Sequence, residues 1–562
     1  MKKRRWLSLL VATLMATTGI MGCSTKQVEQ KKLAEAVTKE EKKEETAESK
    51  DTEEIKLASP SWKTDTSEHT IKWFVAYDWY GKKFNPEVNL TDKWIYEETG
   101  IKIEFQTGDV DKLNVLIKTN QLPDIITVQA SSTERKLLEN NGMVLPLNEL
   151  SKKYAPELYA PQSEKEWYTA KDGNWYSICN FYYGNDNIAD NNGYFETHNQ
   201  NFVRDDIMKQ IGASYEDLRT KEGFLNTLRK VKEADITYNG NKVVPYMGLM
   251  TDYLAEQIAE QFGSSQEDKD GKFQSIYRTP EFLESVLFLN QMYREGLMTD
   301  ETFTMSPDQI KQKSAAGQFF ATTRWTNVSS TRASLYAADP NAKYLYAGLI
   351  KGDNHDSVAV PAKSNGGWTA TLINKNTSKP DRAIQLLSFL SQEEAIYNAI
   401  YGMDGYTIED GKVVRNPERV KLEAENPTEY NATYGDGIGW LTDYTFIQGT
   451  FNLDEEKVWG EDITARTRDP QVLIYDDKCF TDVAPEGGSE EAAILARINE
   501  YKTQALGRVI TASSAEKCES LYKEALAEMD KLGLKQLEEY QNTLFQENKA
   551  KLGLKFAHPF NQ

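Results

Sequence analysis

Tryptophan and tyrosine are frequent in this sequence, and several of them stand beside Asp, Asn or Gln in predicted loops rather than within apolar runs. The chain has 562 residues, of which 11 are Trp and 29 are Tyr. An aromatic ring can stack on the apolar face of a pyranose, a contact worth about 0.5–1.5 kcal/mol beyond burial, while polar neighbours bind the hydroxyls. This mixture of side chains is typical of a site that binds carbohydrate.

The first candidates lie at the carboxyl ends of predicted strands. Tyr77, Asp78 and Trp79 close or follow the apolar run IKWFVAY. We expect Asp78 to accept hydrogen bonds from hydroxyls and Trp79 to stack on a ring, with ordinary surface packing as the alternative. Gln129 ends another predicted strand, where it either contacts a ligand or caps the helix that begins around Ser131.

Further candidates are aromatic or acidic residues at loops and strand ends: Trp175, Trp325, Trp368, Asp404, Tyr406 and Trp440. Trp325 closes the strand-like run GQFFATTRW. Trp368 follows two glycines, and its ring either stacks on a ligand or fills the gap that the glycines leave. For Trp175 and Trp440, packing within the protein is the preferred interpretation.

Charge and motifs exclude several classes of function. The formal net charge of −20, from 86 acidic and 66 basic residues, disfavours nucleic acid as a partner. The four histidines are too far apart in sequence for a local zinc site. The DKDG segment at 268–271 lacks the third oxygen position and the distant Glu of a calcium loop, so a hairpin turn is predicted there. No Walker A loop or nucleophile elbow is present, and we predict no metal, cofactor or catalytic residue.

The N-terminus predicts export and attachment to a membrane. A basic start, MKKRR, precedes an apolar run that ends at Gly22, and residues 20–23 resemble the lipobox of bacterial lipoproteins, with Cys23 as the lipidated residue. A single membrane-spanning anchor is the alternative, but 17 residues are short for one. Eighteen of the 33 residues from 24 to 56 are charged, which is typical of a tether. We therefore predict a signal peptide at 1–22, a lipid-anchored linker at 23–68 and a body outside the cell.

The body alternates between predicted strands and helices. Strands are expected at 71–77, 101–105 and 125–128, separated by two short helices, the second of them capped by Asp109 or Asp111. This order indicates an α/β fold with a parallel sheet, whose ligands bind beyond the carboxyl ends of the strands. Helical spacing also marks the end of the chain, in segments broken by glycine: 490–501, 514–531 and 535–551, with breaks at Gly507, Gly533 and Gly553.

The succession TDKWIYEETGIKIEF, KLNVLIKTNQLPDIITV and LLENNGMVLPLNEL resembles the N-terminal lobe of the extracellular solute-binding proteins of ABC importers, and within them the family 1, carbohydrate-type branch. Further matching segments follow in order, among them AKDGNWYSI and the stretch from Gly366 to Gly405. The resemblance extends over roughly residues 70 to 545. Cys179 departs from it, because the family commonly has a proline there.

The resemblance implies two α/β lobes joined by crossing strands, which enclose a ligand when they close about a hinge. Crossings are expected near residues 175–181, near residues 347–360 and after the GMDG loop. The implied boundaries are 69–180 plus about 351–405 for lobe 1, and about 181–350 plus 406–562 for lobe 2. The resemblance also places an aromatic ligand contact near Trp325, and Asp404 and Tyr406 at the third crossing.

The expected function is that of a monomeric, lipid-anchored binding protein that captures a carbohydrate, most simply an oligosaccharide, and passes it to the subunits of an ABC permease. One alternative is a surface glycoside hydrolase, which would need two carboxyl groups across an aromatic groove. Another is a binding protein for peptides, polyanionic sugars or other solutes. The net negative charge disfavours a strongly anionic ligand.

Overall fold

The computed structural model describes residues 59–184, 197, 199–250, 253–328, 332–362, 366–409, 412–435, 437–443 and 469–561. The chain from Ser59 to Gln562 forms one compact unit. The predicted signal peptide, Cys23 and the linker up to residue 58 lie outside the described ranges. Within those ranges, no helix has both the length and the apolar character needed to cross a bilayer.

The last part of the predicted linker packs against the body. Residues Ser61–Lys63 form a short 3-10 helix, and the Trp62 ring lies 5.5 Å from the ring of Phe389. Farther along, Arg382 donates a hydrogen bond to the carbonyl of Ser67. An aromatic side chain at the end of a charged segment can anchor it, so the packed body begins before the expected boundary at residue 69.

The first sheet has five strands in the order β2-β1-β3-β12-β4. Its strands are β1 (His69–Val75), β2 (Ile101–Thr107), β3 (Ile125–Gln129), β4 (Ser177–Cys179) and β12 (Thr369–Ile373). Strand β1 pairs in parallel with β2 and β3, whereas β12 runs antiparallel to β3 and β4. The predicted parallel arrangement of the first three strands, and with it the α/β fold class, is confirmed.

Helices cover this sheet: α1 (Leu90–Thr99), α2 (Val110–Lys118), α3 (Thr133–Asn140), α4 (Leu147–Tyr154), α5 (Gln162–Trp167), α12 (Pro380–Leu390) and α13 (Glu393–Tyr401). Helix α2 begins at Asp109, whose side chain accepts a hydrogen bond from the backbone N–H of Lys112 at 2.9 Å. This capping satisfies one of the free N–H groups at a helix start, as predicted. Helix α1 ends at Gly100, with φ 69°.

The second sheet has the strand order β10-β5-β9-β8. Its strands are β5 (Asn201–Arg204), β8 (Val244–Tyr246), β9 (Phe319–Thr323) and β10 (Tyr344–Tyr346), and a short hairpin is formed by β6 (Thr237–Tyr238) and β7 (Asn241–Lys242). The accompanying helices are α6 (Asp205–Ile211), α7 (Lys221–Glu233), α8 (Leu254–Gln261), α9 (Pro280–Arg294), α10 (Pro307–Ala315) and α11 (Arg332–Ala338). The chain leaves the first sheet after β4 and returns to it at β12, close to where the first two crossings were expected.

A two-stranded parallel ribbon lies on this return path. It consists of β11 (Val358–Pro361) and β15 (Val472–Tyr475). The short helix α16 (Lys478–Thr481) follows β15. After the GMDG loop come the hairpin of β13 (Tyr406–Glu409) and β14 (Lys412–Arg415) and the helices α14 (Pro417–Glu425) and α15 (Pro427–Thr433).

Three long helices end the chain: α17 (Glu490–Ile510), α18 (Ala515–Leu532) and α19 (Leu534–Lys551). The predicted break at Gly533 is present, with φ 110° between α18 and α19. The predicted break at Gly507 is wrong, because Gly507 lies inside α17. Leu506, Val509 and Ile510 are buried there, and this packing outweighs the roughly 1 kcal/mol by which glycine disfavours a helix interior.

Each sheet is surrounded by its own apolar core. The core of the first sheet includes Ile438 and Leu441, which the expected boundary at residue 405 assigned to the other lobe. Thr371 of β12 donates a hydrogen bond to the carbonyl of Leu441 at 2.6 Å. The loop around residue 440 therefore belongs with the first sheet. Cys179, Cys479 and Cys518 are buried and unpaired.

Candidate functional site

Four aromatic residues from three separate loops meet at one edge of the first sheet. This tryptophan cluster consists of Tyr77, Trp79, Trp368 and Trp440. The Trp440 ring stacks on Trp368 at 5.0 Å and on Trp79 at 5.1 Å between ring centroids. Trp79 and Trp368 lie 6.2 Å apart with planes only 6° from parallel, and Tyr77 lies within 6.1 Å of all three indoles. All four are candidates named from the sequence.

The end of β1 positions Tyr77 and Trp79. The N–H of Ala76 still bonds to the carbonyl of Thr127 in β3, and the chain then turns, with the N–H of Tyr80 donating to the carbonyl of Tyr77 at 3.1 Å. Tyr80 is buried and its ring meets Trp440 edge-on at 5.0 Å. Trp79 is left 58 % exposed, so its ring presents an open face.

A tight backbone passage positions Trp368. Gly367 has φ 103°, and a side chain there would meet the Tyr168 hydroxyl at 3.0 Å and the Cβ of Cys179 at 3.1 Å. Only glycine tolerates this conformation and this proximity. The carbonyl of Trp368 accepts a hydrogen bond from the N–H of Ala130 at 2.8 Å. The glycines therefore let the backbone pass close to the sheet, and the indole packs beside the other three rings.

Asn180, directly after β4, connects the loops of Trp368 and Trp440. Its backbone carbonyl accepts from the N–H of Trp368 at 3.0 Å, and its side-chain oxygen accepts from the N–H of Thr369 at 2.9 Å. Its side-chain nitrogen donates to the carbonyl of Trp440 at 2.5 Å. Asn180 is fully buried, so each of these bonds forms away from water. Asn180 therefore fixes the backbone at both Trp368 and Trp440 relative to the sheet.

Charges near the cluster are largely neutralised within the protein. Arg135 contacts Glu139 at 2.8 Å and Asp482 at 2.9 Å; burial alone would lower the pKa of Arg135, but these carboxylates raise it above its ordinary value. Lys478 contacts Asp476 at 2.5 Å. Burial also raises the pKa of the Tyr77 hydroxyl above its ordinary value. The cluster is therefore an aromatic surface of low net charge.

Two polar candidates lie near this edge. Gln129 at the end of β3 pairs in register with Thr369, and its exposed side chain donates to the hydroxyl of Ser131 at 3.2 Å. Ser132, rather than Gln129, caps helix α3. Asp78 is exposed between Tyr77 and Trp79. Asp78 is therefore adjacent to the cluster in sequence. Gln129 is paired in the sheet with Thr369, the residue after Trp368.

The other candidates lie apart from the cluster or outside its direct contacts. Trp175 is buried in the core of the first sheet, in agreement with the preferred interpretation. Tyr406 stacks on Tyr397 at 5.5 Å, and Asp404 is exposed in a turn with φ 55°. Trp325 begins a short 3-10 helix after β9, and its side chain lies outside what the structure describes.

Sequence reasoning missed Asn180 and the packing partner Phe181. The Phe181 ring lies 6.0 Å from Trp368. A polar residue directly after a short apolar strand was the available signal for Asn180. The turn at 268–271 is a hairpin turn as predicted, with the N–H of Gly271 donating to the carbonyl of Asp268 at 3.0 Å. Within the described ranges, no group of three potential metal ligands comes together.

The sequence matches the model of the bacterial extracellular solute-binding proteins over residues 80–396, more than half of the chain. It is 26 % identical over 254 residues to the fructooligosaccharide ABC transporter substrate-binding protein FusA of Streptococcus pneumoniae serotype 4. That alignment covers 42 % of this chain and 46 % of FusA, so it spans about half the length of this relative.

Solved structures share the fold. The S. pneumoniae FusA structure in complex with kestose aligns with a TM-score of 0.63 and 17 % identity, covering 86 % of this chain and all of that one. The alginate-binding protein AlgQ2 aligns with a TM-score of 0.61 and 17 % identity over 87 % of this chain and all of that one. The N-glycan transport protein NgtS of S. pneumoniae with Man1GlcNAc gives 0.52 at 16 % identity, over 85 % and 99 % of the two chains.

These proteins have the two-lobe architecture expected from the sequence, and their family is one of binding proteins rather than enzymes. The family match includes every strand of the first sheet except β1, and the whole second sheet. The chain therefore belongs to the bacterial extracellular solute-binding proteins.

Proposed function

We propose that this protein captures an oligosaccharide at the tryptophan cluster and delivers it to an ABC permease. The observation that carries the proposal is the meeting of four aromatic rings from three loops at the end of β1 and the start of β12. Sugars offer alternating apolar faces and hydroxyl rims, which suit stacked rings flanked by Asp78 and Gln129. Asp404, Tyr406 and Trp325 are proposed as further contacts, reached by the ligand beyond the cluster.

The rings are held firmly enough to act as a preformed platform. Asn180 fixes the backbones of Trp368 and Trp440, and Gly367 allows the approach of the Trp368 loop to the sheet. A preformed surface loses little side-chain entropy on binding. Micromolar capture corresponds to about −8 kcal/mol, which a few stacked rings and a set of hydroxyl hydrogen bonds can supply.

Closure of two lobes would couple binding to recognition by the permease. The chain runs between the sheets from β4 to β5 and back from β10 to β12. If open and closed forms differ by only a few kcal/mol, a ligand that contacts both lobes shifts the population to the closed form. The permease then selects the loaded protein by its shape.

The relatives support a carbohydrate over other solutes. The names of FusA, AlgQ2 and NgtS refer to fructooligosaccharide, alginate and N-glycan. They include neutral and anionic sugars, so they support the class of ligand without selecting one member. We propose an oligosaccharide rather than a single sugar because the cluster has four rings, and one sugar unit cannot cover them all.

Attachment to the outer face of the cell membrane is proposed to depend on lipid at Cys23. Two acyl chains give stable anchoring where one chain is marginal. Cys23→Ala should therefore release the protein into the medium with its ligand binding intact, as measured by cell fractionation and calorimetry. Retention of the variant in the membrane fraction would contradict the lipid anchor.

The proposal is tested by a thermal-shift screen of residues 24–562, which lack the predicted signal peptide and the lipidated cysteine, against neutral and anionic oligosaccharides. Ligand at 100 times its Kd adds roughly 2.7 kcal/mol to the free energy of unfolding, which is readily measured. Chromatography of each sugar after incubation provides the control for hydrolysis. A rise in Tm with the sugar recovered intact supports the proposal, and the absence of any shift across the panel contradicts it.

A further inference from the structure

A short segment of chain lies on the helix layer of the first sheet and leads into the core of the second. Residues 482–487, which we call the strap, follow α16 and precede α17. The side-chain nitrogen of Asn140 in α3 donates to Glu486 at 2.9 Å, and a side chain at Gly487 would meet the Cβ of Leu137 at 3.1 Å. Helix α17 then contributes to the second core through Ala505, Leu506, Val509 and Ile510. The strap therefore links the two cores, in addition to the passages from β4 to β5 and from β10 to β12.

The carboxylate of Asp482 attaches the strap to α3 through two cations. It lies 2.9 Å from the Nη2 of Arg135 and 3.3 Å from the Nζ of Lys136. Lys136 also donates a hydrogen bond to the carbonyl of Ala484 at 2.8 Å. The side chains of Arg135, Lys136 and Asp482 are 4 %, 13 % and 22 % exposed, so water and salt screen these pairs less than they screen ion pairs on the open surface. The strap is thus held to α3 by a largely buried contact.

On its other side, Arg135 bonds to the sheet edge that carries Trp368. The Nε of Arg135 donates to the carbonyl of Ala130 at 2.5 Å. The N–H of the same Ala130 donates to the carbonyl of Trp368, in the bond described above. Ala130 therefore lies directly between the guanidinium group and the backbone of Trp368.

Tyr168 provides a second connection between Arg135 and the same loop. The guanidinium carbon of Arg135 lies 4.9 Å from the centre of the Tyr168 ring, and the Tyr168 hydroxyl donates to the carbonyl of Gly366. A side chain at Gly367 would meet the Tyr168 hydroxyl and, at 3.3 Å, the Cβ of Ala130. Both partners of Arg135 thus border Gly367, whose conformation sets the position of Trp368.

Glu139 supplies the other carboxylate on Arg135. The Nη1 of Arg135 donates to both oxygens of Glu139, at 2.8 and 3.1 Å. Glu139 belongs to α3 itself, so this pair stays within one helix whatever the strap does. Arg135 consequently has one carboxylate partner from its own helix and one from the strap. Removing either partner leaves the buried guanidinium group with a counter-charge, and a comparison of the two removals isolates the effect of the strap.

We propose that Arg135 is a positioning residue that couples the strap to the Trp368 loop, so that movement between the lobes changes the placement of the Trp368 ring in the tryptophan cluster. This inference rests on the proposed function and adds a residue that controls affinity without touching the ligand, since Arg135 is only 3 % exposed. A shift of α17 relative to α3 acts on Asp482, then on Arg135, and then on Ala130 and Tyr168. Contiguous hydrogen bonds and packed rings of this kind can carry energetic coupling between distant elements.

The first test removes each carboxylate in turn from residues 24–562. Asp482→Ala should weaken calorimetric binding of an oligosaccharide about fivefold. Glu139→Ala is the matched control: it should lower Tm without changing affinity, because Arg135 keeps its bonds to Asp482 and Ala130. Should Asp482→Ala fail to fold, Asp482→Asn takes its place, since it removes the charge and keeps the size. Unchanged affinity in the Asp482 variant, or equal losses in the two variants, would overturn the inference.

The second test asks whether Asp482 acts through Trp368. In a double-mutant cycle, the loss caused by Asp482→Ala should disappear in the Trp368→Leu background, whereas general destabilisation would give the same loss in both backgrounds. The same factor with and without Trp368 would therefore overturn the coupling.

A measurement without ligand separates this inference from the proposed function. Asp482→Ala, but not Glu139→Ala, should alter the near-ultraviolet circular dichroism of the stacked indoles in the free protein. An unchanged spectrum in Asp482→Ala would overturn the positioning role. Absence of binding of every oligosaccharide to the unmodified protein would instead contradict the proposed function.

Discussion

The edge of the first sheet and the edge of the second sheet satisfy their polar groups in different ways. Around the tryptophan cluster, Asn180 uses both its backbone carbonyl and its side-chain amide on neighbouring loops, while the buried Tyr77 hydroxyl has no hydrogen-bond partner among the described residues. At the second sheet, Asn201 and Gln261 bond to each other, whereas the buried side-chain oxygens of Asn199 and Gln200 have no donor in the described ranges. Both edges therefore contain buried oxygens without partners, and they differ in what surrounds these oxygens: stacked rings at the first edge and side-chain amides at the second.

The most severe way to break the aromatic edge is to replace its central ring. Trp440 contacts Trp79, Trp368, Tyr77 and Tyr80, so Trp440→Leu removes two stacked contacts and two edge contacts. We expect sugar affinity to fall roughly 100-fold, about 3 kcal/mol, in calorimetric titration.

Trp175→Leu is the matched control for that variant. Trp175 is a buried tryptophan of the same core but lies outside the cluster. It should lower Tm without changing sugar affinity. Equal loss of affinity in the two variants would mean that Trp440 acts only through general destabilisation of the first sheet.

The edge of the second sheet can be tested through the pH dependence of stability, because the carboxyl of Glu260 accepts a hydrogen bond from Asn199 there. The folded-state pKa of Glu260 is raised by burial to about 7, above its unfolded value, so the protonated form stabilises the fold below pH 4.5 and this stabilisation is lost as pH rises through 7. Glu260→Gln should therefore raise the free energy of unfolding at pH 8 by about 3 kcal/mol relative to the unmodified protein. Below pH 4.5 the two proteins should unfold alike in urea. A variant that is less stable than the unmodified protein at pH 8 would contradict the claim that ionised Glu260 destabilises the fold.

His558 changes the free energy of unfolding with pH in the opposite direction, so its contribution must be distinguished from that of Glu260. Burial lowers the pKa of His558 to about 4, with His355 as a smaller cause. Its contribution to stability is present above pH 6.5 and is lost as pH falls towards 4. His558→Gln should remove this acid-side loss while leaving the difference produced by Glu260→Gln at pH 8 unchanged, since at pH 8 His558 is neutral in both the folded and the unfolded protein.

A milder change tests whether Asn180 positions the rings. Asn180→Asp replaces the donor that faces the carbonyl of Trp440 with an acceptor, so the two loops should separate. We expect about a tenfold loss of sugar affinity and a weaker near-ultraviolet circular dichroism signal from the coupled indoles. Asn148→Asp is the control, because Asn148 bonds to Asn174 and Trp175 away from the cluster. Unchanged circular dichroism with lower Tm would reduce Asn180 to a purely structural role.

The smallest expected effect belongs to the exposed ring. Trp79→Leu should lower sugar affinity about three- to fivefold, about 0.5–1 kcal/mol, because one stacking face is lost. Its Tm should hardly change, since the ring is 58 % exposed. A large fall in Tm would show that Trp79 belongs to the core rather than to the ligand platform.

Local patterns allowed the first sheet and part of the cluster to be predicted. Apolar runs predicted β1 and β3, the alternation of apolar residues predicted β2, and Asp109 or Asp111 was expected to cap α2, which begins after Asp109. The rule that parallel sheets bind ligands beyond their carboxyl ends placed Tyr77 and Trp79 at a candidate site. These inferences depend on neighbours in sequence, which is why they could be made without a structure.

Contacts between distant parts of the chain could not be predicted in the same way. The stacking of Trp440 on Trp79 joins residues more than 350 positions apart, and packing alone had been the preferred interpretation for Trp440. Gly507 inside α17 shows that burial of an apolar helix face outweighs a local helix breaker. Asn180 gave no motif, because its role depends on two loops that only the fold brings together.

The most direct test of the central claim is a calorimetric titration of the unmodified chain and of Trp440→Leu with the oligosaccharide that gives the largest thermal shift. The account predicts micromolar binding to the unmodified chain and roughly 100-fold weaker binding to the variant, with both proteins folded by circular dichroism. Equal affinities in two folded proteins would show that the sugar binds elsewhere and would contradict the tryptophan cluster as the ligand site.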